Sequence, residues 1–301
     1  MVAHRLAVVT AIATGVLIVF GGLVTNTGAG LAVPDWPTTF GHNMFLYPWS
    51  QMIGGVFYEH SHRLLGALVG LLTLALAASL WRAGGRLRWL GAVAVVAVIT
   101  QGVLGGLRVV LLREQLAVVH GCVAQAFFGL LAALVLVTAP NLLPAVGVEP
   151  ATRRLTLLAA ALVYAQIVFG ALLTHAGRTD LHLVGALAVF ALVPVITARV
   201  RRGGDPVAAR VARVLLVVLG LQLALGIGSF LSRFSAVWIP GGQVTMLALP
   251  VAHRVAASVI FGAVVMLAVR MFQAPAMRLD GVIERRGSLA GPVPSVQRGA
   301  P

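Results

Sequence analysis

Eight apolar runs, each long enough to cross a bilayer, dominate this sequence: they lie near residues 6–24, 60–81, 89–107, 115–137, 155–173, 181–199, 211–231 and 250–271. A spanning helix needs roughly 20 apolar residues. Lipid offers no partner for an open backbone, so a chain built this way must pack as a helical bundle. With 59% hydrophobic and only 10% charged residues, the composition excludes an ordinary soluble domain. The run 6–24 follows Arg5 and resembles a signal peptide, yet it is long enough to span and lacks a convincing A-x-A cleavage site; it reads as a retained helix. The expected class is an all-α, multi-pass protein of the cell (plasma) membrane.

All 22 basic residues are arginines, and the net charge is +14. No basic patch is interleaved with aromatics, so nucleic acid is not an expected partner. The excess follows membrane topology instead. With the N-terminus inside, sixteen of the arginines fall on the cytoplasmic side: Arg5, the turns 82–88, 153–154 and 199–213, and the tail from Arg270. Both termini are therefore expected in the cytoplasm. The tail, rich in Pro, Gly, Ser and Arg, reads as disordered over 274–301. The connection 25–59 on the other side carries Trp36, Tyr47, Trp49 and Tyr58. It serves either as an interfacial aromatic belt or as a lid.

The chain repeats itself. "VFGGLVTNTG" (19–28) matches "VFGALLTHAG" (168–177), and "VVHGCVAQAFFG" (118–129) matches "VAHRVAASVIFG" (251–262). "QGVLGG" (101–106) resembles "QLALGI" (222–227), and "HRLLGAL" (62–68) resembles "HLVGAL" (182–187). Helices 1–4 thus map onto 5–8. Four spans per unit insert both units in the same sense, a parallel duplication whose natural architecture is two four-helix bundles. The expected division is 1–138 for the first bundle, a cytoplasmic linker at 139–153, 154–273 for the second bundle, then the tail. Gly21, Gly22, Gly105, Gly106, Gly170 and Gly226 suit close approach of a helix or a cofactor, or plain helix packing.

Of eight histidines, the repeat singles out four. His120 aligns with His253, and His62 with His182 across a one-residue gap. All four fall at the start of an even-numbered helix, in its first one or two turns, near the outer face. Polar groups inside a membrane are costly and mark function by default. Two imidazoles facing each other in one bundle are an axial-ligand pair for haem iron. Nothing completes a mononuclear metal shell in the second half: the one cysteine, Cys122, lies off the ligand face and reads as a small packing residue.

The segment "VFYEHSHRLLG" (56–66) crowds Glu59, His60, His62 and Arg63 at the mouth of helix 2. At about 100° per residue, Glu59 and His62 share a face and His60 points away. Glu59 has no counterpart in the second half, where Thr179 stands three residues before His182. It is a candidate catalytic carboxylate, or else a helix-start residue complementing the dipole. Arg63 and Arg254 each follow one of the four histidines; they are candidate propionate contacts, or snorkelling cations.

On these residues the chain resembles the heme A synthase family. The resemblance rests on "GGLVTNTGAGLAVPDWPTTFG" (21–41), "EHSHR" (59–63), "QGVLGGLRV" (101–109), His120, "QIVFGALLTHAG" (166–177), His182 and "AHR" (252–254). It implies two four-helix bundles related by a pseudo-two-fold axis. It implies heme b between His182 and His253, the substrate heme o between His62 and His120, and Glu59 as the catalytic carboxylate. The implied reaction takes one methyl group of heme o to a formyl through two hydroxylations and loss of water, giving heme a for terminal oxidases. Heme O synthase and an electron acceptor or donor are candidate partners, besides membrane lipid. Many members carry a cysteine pair flanking "PDWP"; here Val33 and Thr39 stand there and no disulfide can form. The rival reading is a di-haem cytochrome b-like carrier, which leaves the one-sided Glu59 unexplained. A transporter is a third, but it favours polar groups near the midplane.

Overall fold

The computed structural model describes residues 1–235 and 240–275; the expected disordered tail lies outside them except for Ala274 and Pro275. Eight long helices follow in order: α1 Val2–Asn26, α2 Gly55–Ala83, α3 Gly85–Leu111, α4 Glu114–Val137, α5 Pro150–Ala176, α6 Thr179–Arg202, α7 Pro206–Phe234 and α8 Gly242–Gln273. Each is long and apolar enough to cross a membrane, so this is a multi-pass membrane protein. The helices overrun the apolar runs because the polar first and last turns stay helical outside the hydrocarbon. The largest difference is in α8, expected from 250. Pro250 looks like a helix start, yet the helix begins at Gly242 and carries the proline inside.

Helices α1 to α4 touch in a closed circuit, each against the next and α4 against α1. Helices α5 to α8 form a second circuit in the same order, and α8 packs on α4 and α1 while α5 packs on α4. Each circuit has its own core: Leu76, Leu80, Leu131 and Leu134 in the first, Val193, Leu215, Val264 and Leu267 in the second. The outer faces keep large side chains such as Leu71, Leu187 and Val217 for lipid. Helix α8 is the central one, with 61% of its apolar window buried against 11–33% for the other seven. Where α4 meets α8 the contact is reciprocal. Phe261 lies over Gly129, and Phe128 lies over Gly262; these are the positions the sequence repeat equates. Threonines inside the bundle return their hydroxyls to the backbone one turn back, as Thr14 does to Thr10 O at 2.8 Å and Thr73 to Val69 O at 2.7 Å.

At the end that holds both described termini, one buried ion pair ties three segments together. Asp205 caps α7 through Val207 N–H and Ala208 N–H at 3.0 and 2.9 Å, and accepts Val146 N–H from the linker at 3.2 Å. Arg270 of α8 donates to Asp205 at 2.9 Å and to Pro144 O at 3.1 Å. Val148 and Arg153 bind the carbonyls of Pro275 and Ala274, so the linker lies fixed against the end of α8. Burial pulls the Asp205 carboxyl upward, but the hydrogen bonds from Ala208, Arg270 and Val146 outweigh it and hold its pKa below the usual carboxylate value. A depressed carboxyl contributes stability that is complete above its unfolded pKa of about 3.9 and is lost as pH falls through the lower folded value. Asp205→Asn strands Arg270 without its counter-charge, at a cost of about 3–5 kcal/mol. Thermal unfolding in detergent is expected to show a lower midpoint for the variant at neutral pH, with the gap to wild type narrowing in acid.

Candidate functional site

Each of the four singled-out histidines lies in the loop-side part of an even-numbered helix and leans on a glycine of the helix before it. A Cβ added at Gly21 would lie 3.1 Å from His62, at Gly105 3.4 Å from His120, at Gly170 3.4 Å from His182, and at Gly226 3.0 Å from His253. One turn before three of these glycines stands a glutamine. Gln101 donates to His120 O at 3.2 Å, Gln166 to His182 O at 3.0 Å, and Gln222 meets the His253 ring at 3.2 Å. In α1 the equivalent position is Leu17. The Gln-x3-Gly spacing of these glutamines repeats three times in the sequence. His253 sits deeper along its helix than the expected first turns, because α8 begins well before Pro250.

The histidines meet in two pairs. His62 and His120 have ring centres 6.3 Å apart, with planes at 74°. His182 and His253 are 6.2 Å apart, at 66°. Metal–imidazole bonds are about 2 Å, and each ring centre lies about 1 Å behind its nitrogen, so two imidazoles sharing one ion stand about 6 Å apart. Both pairs match that span. His62, His120 and His253 each keep a buried Nδ1 without a partner among the described residues. Buried polar atoms are rarely left so. Among the described residues no three His, Cys, Asp or Glu side chains come together as a metal site. Two imidazoles alone leave an ion under-coordinated; a macrocycle supplying equatorial nitrogens completes it. The donor set therefore fits a haem in each half.

Glu59 and Arg63 occupy the loop side of the first pair. Glu59 is only 4% exposed. Its Oε2 accepts Val33 N–H at 2.9 Å, and its Oε1 pairs with Arg63 at 2.9 Å. Arg63 also donates to Asp35 O, Thr38 O and Val33 O at 2.7, 3.0 and 3.0 Å. All four terminal N–H groups of Arg63 are thereby committed to Glu59 and the loop, whereas the sequence reading offered this guanidinium to a propionate. His60, which does point away from the pair, is not idle. It is 1% exposed, meets Thr39 Oγ1 at 3.1 Å and packs on Tyr47 at 5.2 Å between ring centres. Asp35 folds the loop tip by accepting Phe40 N–H and Gly41 N–H at 2.7 and 2.9 Å and the Thr38 hydroxyl at 2.5 Å. Burial works against its charge, but those donors win and its pKa lies below the ordinary carboxylate value.

Val33 and Thr39, which stand where relatives with a cysteine pair would bridge, are both fully buried. The polar clasp of Glu59, Arg63 and His60 shapes the loop without a disulfide. Trp36 at the loop tip rests against Gly106, next to the Gly105 that faces His120. The loop thus packs on α3 next to the glycine that faces His120, while Trp36 and Trp49 stay exposed as an interfacial belt requires. Arg63→Gln is expected to free residues 33–38 and make the loop at least several-fold more sensitive to limited proteolysis, with the cleavage sites read by mass spectrometry.

Two arginines differ from Arg63. Arg254 lies against Gly22 of α1, and Arg108 against Gly30; neither guanidinium has a hydrogen bond or ion pair among the described residues. Cys122 is half-buried, and its backbone carbonyl accepts the Tyr164 hydroxyl at 3.1 Å; it takes no part in either pair.

Fold and site together define a membrane bundle protein with two half-buried histidine pairs of one geometry; buried Glu59 stands one turn before His62, where Thr179 precedes His182. The sequence profile of the COX15-CtaA family, cytochrome oxidase assembly protein, matches residues 4–179. That is more than half of the chain, and the chain belongs to this family, the heme A synthase family. It is 34% identical over 116 residues to a heme A synthase of Shouchella clausii, covering 37% of each chain. It is 34% identical over 138 residues to a heme A synthase of Alkalihalophilus pseudofirmus, covering 44% of each. The aligned stretches thus span less than half the length of these curated relatives.

Proposed function

We propose that this protein is a heme A synthase: it oxidises one methyl group of heme o to a formyl through two hydroxylations and loss of water from the resulting diol. The substrate haem lies between His62 and His120, and heme b between His182 and His253. The observation that carries the reading is the pair of matching imidazole gaps, 6.3 and 6.2 Å between ring centres, with Glu59 one turn before His62 and Thr179 in that place before His182. The reciprocal Phe–Gly contacts of α4 and α8 support a pseudo-two-fold relation of the two bundles.

The chain's residues divide the work. His62 and His120 orient the macrocycle, and Gly21 and Gly105 leave room for the imidazoles. Glu59 accepts one hydrogen bond at each oxygen, from Val33 N–H and from Arg63, and each oxygen keeps a further lone pair. It takes the proton released as oxygen adds to the methyl carbon, and its charge stabilises positive charge developing there. The loop bearing Trp36 excludes bulk water from the gap. Heme b, when bound, supplies a redox centre through which electrons leave towards an external acceptor. Arg254 remains the propionate contact in the second half, while Arg63 holds Glu59 and the loop. The arginine distribution supports cytoplasmic termini in the cell membrane, with both haem sites near the outer face. Heme O synthase is the natural donor of the substrate.

The test is to produce the protein together with a heme O synthase, extract the bound haems and separate them chromatographically. Heme a or its hydroxylated precursor supports the synthase. Heme b alone means a carrier, and no haem at all refutes both.

A further inference from the structure

Arg63 and Arg270 show what this fold does with a buried guanidinium: each is paired with a carboxylate and with backbone carbonyls. Arg108 breaks the rule. It is half-buried near the loop end of α3 and has neither a hydrogen bond nor an ion pair among the described residues. Glu59, the carboxylate of the first site, is already taken by Arg63. A half-buried arginine at the edge of a span with no acceptor among the described residues is costly, and such residues mark ligand sites.

Its position says which ligand. Gln101, Gly105 and Arg108 follow one another at i, i+4 and i+7 and so share one face of α3. The first two of these meet His120. Arg108 lies one turn further towards the loop and within electrostatic reach of both His62 and His120. Its guanidinium fills the space that a side chain at Gly30 would need, so the buried Gly30 admits it to the site. In the second half the equivalent residue is Ser229, and the free arginine there is Arg254, which itself replaces Gly121 of the first half. The two halves thus supply these unpaired arginines from non-equivalent positions, and Arg254 leans on Gly22 of α1, next to the Gly21 that faces His62.

We propose that Arg108 binds a propionate carboxylate of the substrate haem. In doing so it fixes the rotation of the macrocycle about the His62–His120 axis, and thereby which methyl group meets Glu59. This rests on the first pair being the heme o site.

The test uses the purified full chain with heme b in place, titrated with heme o and with heme o dimethyl ester, whose propionates carry no charge. Wild type is expected to prefer the diacid by about tenfold or more, the size of a charge-assisted hydrogen bond. Arg108→Gln should bind the ester as wild type does and show a preference near one, while Arg108→Lys restores part of it. Gly30→Ala, which keeps the arginine but displaces its flexible end, should also lower the preference. Elution as a single species on size exclusion confirms that the variants fold. If Arg108→Gln keeps the wild-type preference, or wild type has none, the propionate site is overturned while heme o binding stands. If wild type binds neither form, the placement of heme o at the first pair fails, and Arg108 with it.

Discussion

Glu59→Gln is expected to reduce heme a formation by about 10²–10⁴-fold, the usual contribution of a positioned general base, with both haems still bound. The amide is nearly the same size as the carboxylate, and its carbonyl can still accept Val33 N–H, a bond of 2.9 Å in the native loop. What disappears is the negative charge and the capacity to take a proton. The same change weakens the pairing with Arg63, so the loop must be followed alongside the chemistry. A variant that loses activity while its loop resists protease as wild type does has lost chemistry; one that loses both has lost the clasp. Arg63→Lys helps to separate the two, because it keeps a cation for Glu59 but cannot reach three loop carbonyls at once. Full heme a production by Glu59→Gln would remove the carboxylate from the mechanism.

Removing one histidine from each pair should stop the reaction in two different ways. His62→Ala leaves His120 without its partner 6.3 Å away, and the first half is expected to lose heme o while heme b stays. His182→Ala breaks the second pair, at 6.2 Å, and is expected to lose heme b while heme o remains bound and unoxidised. Both variants should form no detectable heme a, so the haem retained, and not the activity, distinguishes the halves. Chromatography of the haems from each purified variant gives the answer. Loss of both haems from either variant would mean that the two sites do not bind independently.

Much of this was legible in the sequence, for identifiable reasons. Membrane spans are written as apolar length, and a duplicated chain shows which polar residues matter by repeating them. That is how four histidines separated from eight. The glycines opposite them were visible as repeats, but their partners were not, since sequence spacing does not say which helix a glycine faces. Pro250 misplaced the start of α8 because local punctuation is overridden when a longer helix is packed on both sides. The loop was the least readable part. Helix geometry turns His60 away from His62, but its hydrogen bond to Thr39 and its packing on Tyr47 bridge residues far apart in the chain. The partners of Arg63 are hidden for the same reason: three of the four are backbone carbonyls, which carry no residue signature. The Asp205–Arg270 pair spans 65 positions and left no local trace.

The central claim, that this chain itself converts heme o at its first histidine pair, is tested most directly with purified protein. Loaded with heme o and supplied with air and a chemical electron acceptor, it can be followed by the absorption of the extracted pyridine haemochrome. A formyl conjugated to the macrocycle moves that band to longer wavelength. The expected result is a progressive red shift in the wild type and none in Glu59→Gln. A wild-type protein that binds heme o at His62 and His120 yet leaves its spectrum unchanged would contradict the account.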